Sequence, residues 1–168
     1  MGCSNRVTRA HIWSGTVPPE NYSIEEWSDL YAERKKKLAE GVYGKNEETE
    51  YNNNIPEMLK NSISFDISGC ANVLDGCYAD TAEIGYQISN DTRMVNCDFF
   101  NNKLMGLKKS TAIKHTAGHL SVISCVFRGT AGSEILYDGT GKNVDWISNI
   151  ATGGEGMSVP ETFMKNKY

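Results

Sequence analysis

The sequence predicts an all-β fold, a parallel β-helix carrying one inserted α-helix, and three observations predict it. A short template recurs: apolar, two residues, small or Cys, one residue, apolar. It fits Val7/Ala10/Ile12, Leu74/Cys77/Ala79, Met94/Cys97/Phe99, Val122/Cys125/Phe127 and Trp146/Asn149/Ala151, with Asn in the last cysteine slot. Its later centres, at 77, 97, 125 and 149, are separated by 20, 28 and 24 positions, which is the spacing of stacked repeats. About ten residues before each of these centres runs a second alternating segment, "SFDIS", "GYQIS", "AIKHT" and "EILYD". Between the two runs stand Gly, Asn, Asp and Ser, in "SGCAN", "SNDT", "TAGH" and "DGTGKN", the residues that turn a chain without a long loop. Short strands, tight corners and a period near 24 describe coils stacked at about 4.8 Å. A β-sandwich is the competing arrangement, since short strands with frequent turns suit it too.

Taken in order, the first coil holds Val7, Ala10 and Ile12 and is followed by an insertion at about 14 to 61. Within it, "YSIEEWSDLYAERKKKLAEG" predicts an amphipathic helix. Ser23 is its N-cap, with Glu26 at the capping-box position, Ile24, Trp27, Leu30, Tyr31 and Leu38 on one face, and Gly41 as the stop. The polar "GKNEETEYNNN" returns the chain to the stack. Coils then follow to about residue 152, one domain in all, and residues 153 to 168 form a tail or cap. The repeated slot explains the repeated cysteines: a small side chain at a tight inward corner recurs because the shape recurs, and stacked Asn side chains hydrogen-bond along such a ladder.

Composition narrows the chemistry. The 168 residues are 39% apolar with a net charge of −4, enough for one core and without a basic stripe for nucleic acid. No apolar run approaches the roughly 20 residues of a spanning helix, so no membrane insertion is expected. No apolar segment follows Met1, and "MGCSNR" lacks the hydroxyl residue of a myristoylation signal, so neither export nor lipid anchoring is expected. The five cysteines, Cys3, Cys70, Cys77, Cys97 and Cys125, include no C-x-x-C pair. The expectation is reduced, mostly buried thiols, with no metal and no cofactor.

The coils "MVNCDFFNN" and "LSVISCVFRGT", with "HIWSG" opening the insertion and "YADTAEIGY" leading into the next coil, resemble the right-handed parallel β-helix of bacteriophage tailspikes and tail appendage proteins, in the wider pectin-lyase-like group. The likeness covers about residues 5 to 152. It implies a virion tail protein that engages host surface polysaccharide, either as a glycosidase-type depolymerase or as a non-enzymatic adhesin or shaft segment, and it implies a homotrimer. A bacterial polysaccharide lyase is a remoter alternative. The paired-aspartate, Gly-His-Gly and Arg-x-Lys motifs of polygalacturonases are missing. The start in mid-coil at "GCSNRVTRAHIW" reads as a piece of a larger tail protein.

Candidate site residues follow from which way strand residues face. With Leu74, Cys77 and Ala79 inward, Tyr78 and Asp80 point outward, and the column through Tyr78 reads His11, Tyr78, Asp98, Val126, Ile150. Asp80 and Asp98 are then diagonal neighbours roughly 7 to 8 Å apart. That lies within the roughly 6.5 to 9.5 Å separation of an inverting acid and base, which makes them the catalytic candidates. Trp13, Trp27, Tyr78 and His11 are the substrate-binding candidates, with Tyr22 and Tyr31 as further aromatics. The inserted helix either packs its Trp27 face on the flank or forms a wall beside a saccharide groove. His115 and His119 are assigned to a corner. Val126, Ile150 and Leu136 are read as an outward apolar flank, facing another copy or covered by "MSVPETFMKNKY".

Overall fold

A computed structural model of the chain describes residues 5–13, 61–101, 110–130 and 134–164, together with isolated positions between 23 and 40 and Leu59. Fourteen strands lie among them. They are β1 (Arg6–Thr8), β2 (His11–Trp13), β3 (Ile63–Ile67), β4 (Asn72–Asp75), β5 (Tyr78–Asp80), β6 (Ile84–Ile88), β7 (Thr92–Val95), β8 (Asp98–Asn101), β9 (Ser110–His115), β10 (Leu120–Ile123), β11 (Val126–Gly129), β12 (Glu134–Gly139), β13 (Val144–Ile147) and β14 (Ile150–Thr152). Every third strand joins the same sheet, in the orders β1-β4-β7-β10-β13, β2-β5-β8-β11-β14 and β3-β6-β9-β12. All pairings are parallel. Consecutive strands thus belong to different sheets, which makes the chain a parallel β-solenoid, as its repeats predict.

The predicted inward columns are the observed ones. Val7, Leu74, Met94, Val122 and Trp146 pair in register along the first sheet. Ile12, Ala79, Phe99, Phe127 and Ala151 do so along the second. Leu74, Ala79, Met94, Phe99, Val122 and Phe127 are wholly buried, whereas Ile12, in the first coil, keeps 36% of its surface exposed. Burying each large side chain contributes roughly 1.5 to 3 kcal/mol, so the middle coils hold the core and the first coil adds least.

The cysteine slot has a hydrogen-bonding reason as well as a steric one. The residue before each slot, Arg9, Gly76, Asn96, Ser124 or Ser148, is left-handed, with φ between 52° and 64°, and this turns the chain from one sheet to the next within two residues. The coil-to-coil backbone bonds run through the corner, as in Gly76 N–H to Val95 C=O and Asp98 N–H to Cys77 C=O. The slot's own N–H needs another acceptor. The slot side chain of the following coil supplies it: Cys97 N–H donates to Cys125 Sγ at 3.3 Å, and Cys125 N–H to Asn149 Oδ1 at 2.8 Å. In the other direction Cys77 donates to Val7 C=O, Cys97 to Leu74 C=O and Asn149 Nδ2 to Val122 C=O. Cys and Asn share the slot because each is small and both donates and accepts. Cys77, Cys97 and Cys125 are buried, unbridged thiols. Burial pushes Cys77 up, and the contact with Cys125 followed by burial does the same to Cys97, so both stay neutral.

The third sheet corrects two expectations. Leu136, read as outward, is wholly buried, and Ile135, read as inward, is 46% exposed. The register aligns Phe65, Tyr86, Ile113 and Tyr137, so the outward slot of Asp66, Gln87 and Lys114 is filled by Asp138. Strict alternation places Leu136 outward between Ile135 and Tyr137, but Leu136 lies between the Ile135–Thr111 and Tyr137–Ile113 pairs, opposite the buried Ala112. These strands also break the alternation once. Ser64 and Phe65, Gly85 and Tyr86, and Ala112 and Ile113 are successive buried pairs. At this bend a Cβ on Gly85 would stand 2.5 Å from a Phe99 ring carbon and 2.8 Å from Ala112 C=O, so glycine is required there.

In the insertion, the described Glu25, Glu26, Asp29, Ala32, Glu33, Lys36 and Lys37 are helical. The predicted capping box closes at its start: Ser23 N–H donates to Glu26 Oε2 at 2.8 Å and Glu26 N–H to Ser23 Oγ at 3.1 Å. Trp27, Ile24, Leu30, Tyr31, Leu38 and Gly41 lie outside the described residues, as do Tyr22, Cys3 and "GKNEETEYNNN". At the other end, a 3-10 turn (Glu155–Met157) and a helical turn (Glu161–Met164) fold over the last coil. Met157 and Phe163 enter the core, with the Phe163 ring stacked on Trp146 at 5.3 Å and edge-on to Tyr137 at 4.8 Å. This segment covers the open end of the core and leaves Ile150 58% exposed.

Candidate functional site

The outward face of the second sheet carries two adjacent columns. Because Ile12, Ala79, Phe99, Phe127 and Ala151 face inward, their strand neighbours face out. One column is His11, Tyr78, Asp98, Val126, Ile150, and the next is Trp13, Asp80, Phe100, Arg128, Thr152. The expected order of the first column is the observed one.

The first four coils of this face carry a cluster. The His11 and Tyr78 rings stack at 4.5 Å with 17° between their planes. His11 Nε2 lies 3.6 Å from Asp80 Oδ2, and Thr81 Oγ1 donates to Asp80 Oδ1 at 2.7 Å. Arg128, one coil above Asp98, places its guanidinium 3.3 Å from Asp98 Oδ1. Tyr78 sits among these groups. Burial first, then Asp80, raises its hydroxyl above the ordinary value, with Arg128 acting in the opposite sense. The Arg128–Asp98 pair is solvent-exposed and contributes at most about 1 kcal/mol to stability. Together these contacts fix a half-buried aromatic ring among acceptors and donors at set heights.

Asp80 and Asp98 therefore share one face but have different partners, Asp80 the coil below and Asp98 the coil above. The backbone of Trp13 is in register with Asp80, while its side chain and the whole of Trp27 lie outside the described residues. Sequence reasoning missed Phe100 and Arg128. Their signal was available, since each lies two residues beyond a member of the first column and so on the same face. The assignment of both histidines to one corner needs dividing. His115 is buried, with Nδ1 2.8 Å from Tyr137 Oη and Nε2 3.0 Å from Ala117 C=O, and it ties that turn together. His119 is half-exposed and pairs with Asp145 at 3.1 Å.

Among the described residues, no three His, Cys, Asp or Glu side chains converge to hold a metal ion. No protein-family model, curated protein or solved structure matches the chain.

Proposed function

We propose that the chain is part of a bacteriophage tail protein whose second-sheet face recognises a host surface polysaccharide. One observation carries this reading: two neighbouring columns present Tyr78 and Phe100 beside Asp80, Asp98, His11 and Arg128 on a rigid sheet. Aromatic faces accept the C–H side of a sugar ring, while carboxylate, guanidinium and imidazole groups meet its hydroxyls. A column repeats such groups at the coil spacing, which suits an extended chain. In this role the protein is a virion component that needs no cofactor, binds no nucleic acid and inserts into no membrane.

Binding is favoured over cleavage because each carboxylate is already engaged, Asp80 by Thr81 Oγ1 and the His11 ring and Asp98 by the Arg128 guanidinium. Cleavage is the second reading, favoured by the diagonal placement of Asp80 and Asp98; there Asp98→Asn would abolish depolymerisation while leaving binding in place. A lyase relative would want a basic residue and Ca²⁺ beside the acids. The test is retention on immobilised polysaccharide from candidate hosts. Tyr78→Ala or Arg128→Ala should each weaken binding about tenfold or more, the loss expected for one stacked ring or one charge-assisted bond. Undiminished binding by both variants overturns the proposal.

Assembly belongs to the same reading. Val95, Ile123 and Ile147 form an outward column on the first sheet, beside Val126 and Ile150 on the second, with only the tight corner between them. Ile147 and Ile150 are 49% and 58% exposed. Such a ridge suits a second copy around a three-fold axis. Light scattering should read a trimer that Ile150→Glu dissociates; a stable monomer would contradict it.

A further inference from the structure

We infer that a cleft on the outward face of the first sheet is a second, separate subsite that takes a single neutral sugar ring. The inference deepens the polysaccharide reading and rests on it. The outward column of that sheet reads Arg6, Val73, Arg93, Ser121, Asp145. Val73, Arg93 and Ser121 form the floor of a cleft of about 290 Å³, and Asp91 and His119, from the corners before β7 and β10, form its wall with Thr92 at the start of β7. Pockets for drug-sized molecules run from roughly 300 to 1,000 Å³, so this cleft is of a size to seat one ring.

The polar groups select the class of ligand. Arg93 is exposed, and its guanidinium has no hydrogen-bond or ion-pair partner among the described residues. Asp91 Oδ1 accepts the His119 backbone N–H at 2.7 Å, which leaves Oδ2 as an acceptor. His119 Nε2 and Ser121 Oγ both lie 3.1 Å from Asp145 Oδ2. An unfilled donor and an unfilled acceptor face one apolar patch, Val73. A hydroxyl donates and accepts at once, so neighbouring sugar hydroxyls fit Arg93 and Asp91 together, while the ring's C–H face lies on Val73. A carboxylate or phosphate would reach Arg93 too, but it would leave the Asp91 acceptor in the wall without a donor and beside a like charge.

The wall is built before any ligand arrives. Gly118 has φ +84°, and a Cβ there would stand 2.4 Å from the Asn90 carbonyl carbon and 2.5 Å from Asp91 N. Only glycine lets this turn lie directly on Asn90 and Asp91, which holds His119 against the Asp91 carboxylate. Such preorganisation reduces the ordering cost of binding.

The experiment is an NMR titration of the ¹⁵N-labelled full chain with the methyl pyranosides of glucose, galactose and mannose, and separately with glucuronate and inorganic phosphate. At least one neutral glycoside should shift the amides of residues 91–93 and 119–121. Arg93→Gln should weaken that response about tenfold with the remaining spectrum intact, and the two anions should bind less well. The inference is overturned if no glycoside moves those amides, if Arg93→Gln changes nothing, or if either anion binds more tightly. Purified polysaccharide separates the two sites. Shifts at 78–80 and 98–100 alone overturn the cleft and leave the second-sheet face standing, whereas shifts in the cleft alone overturn the face.

Discussion

Asn149 occupies the slot that three preceding coils fill with cysteine, and its two hydrogen bonds show what the slot requires. It accepts from Cys125 N–H and donates to Val122 C=O, both at 2.8 Å. Asn149→Ala leaves a donor and an acceptor unsatisfied at a half-buried corner and should cost about 1 to 3 kcal/mol by urea unfolding. Asn149→Cys, which restores both capacities in the form the other coils use, should recover most of the loss. At this scale the sequence was legible where chemistry and period coincide. The slot was found by its spacing, and the His11, Tyr78, Asp98, Val126, Ile150 column followed from facing alone. The left-handed residue before each slot was not legible, because Arg9, Asn96, Ser124 and Ser148 share no residue type with Gly76; each is held there by the corner bonds around it. Nor were the ion pairs, since Asp98 meets Arg128 across 30 positions of sequence.

The strand whose residues were misjudged is β12, and the cap explains its environment. Strict alternation along "EILYD" puts Leu136 outward, and only the bend shared with the neighbouring strands brings Leu136 into the core beside Tyr137, which meets Phe163. The cap itself, "MSVPETFMKNKY", was read as one of two possible covers of the outward flank, the other being a second copy. Its two core residues are too few to show a period, and they close the end of the stack instead of the Ile150 flank. Phe163→Ala should cost about 3 kcal/mol or somewhat less, because removal of a buried aromatic ring typically costs about 3 to 5 kcal/mol and a terminal segment can partly relax. Trp146, which stacks on that ring, provides the reading: its fluorescence should shift toward that of an exposed indole, and an unchanged spectrum would mean that the cap does not pack there in solution.

At the scale of the whole molecule, each coil touches only its neighbours, so the position of any outward side chain is set by coil number and by which sheet it stands on. The candidate face, the apolar ridge and the cleft are three regions of one surface lattice, and all three depend on the coils being parallel and in the register described. Nuclear Overhauser contacts test that dependence most directly. Parallel stacking predicts contacts from the Cys97 amide to the Cys125 side chain and from the Cys125 amide to the Asn149 side chain, across 28 and 24 positions. It also predicts no strong Hα to Hα contacts between paired strands, because those close pairs belong to antiparallel ladders. Strong Hα to Hα contacts, with the two corner contacts missing, would contradict the solenoid and remove the basis for every site placed on it.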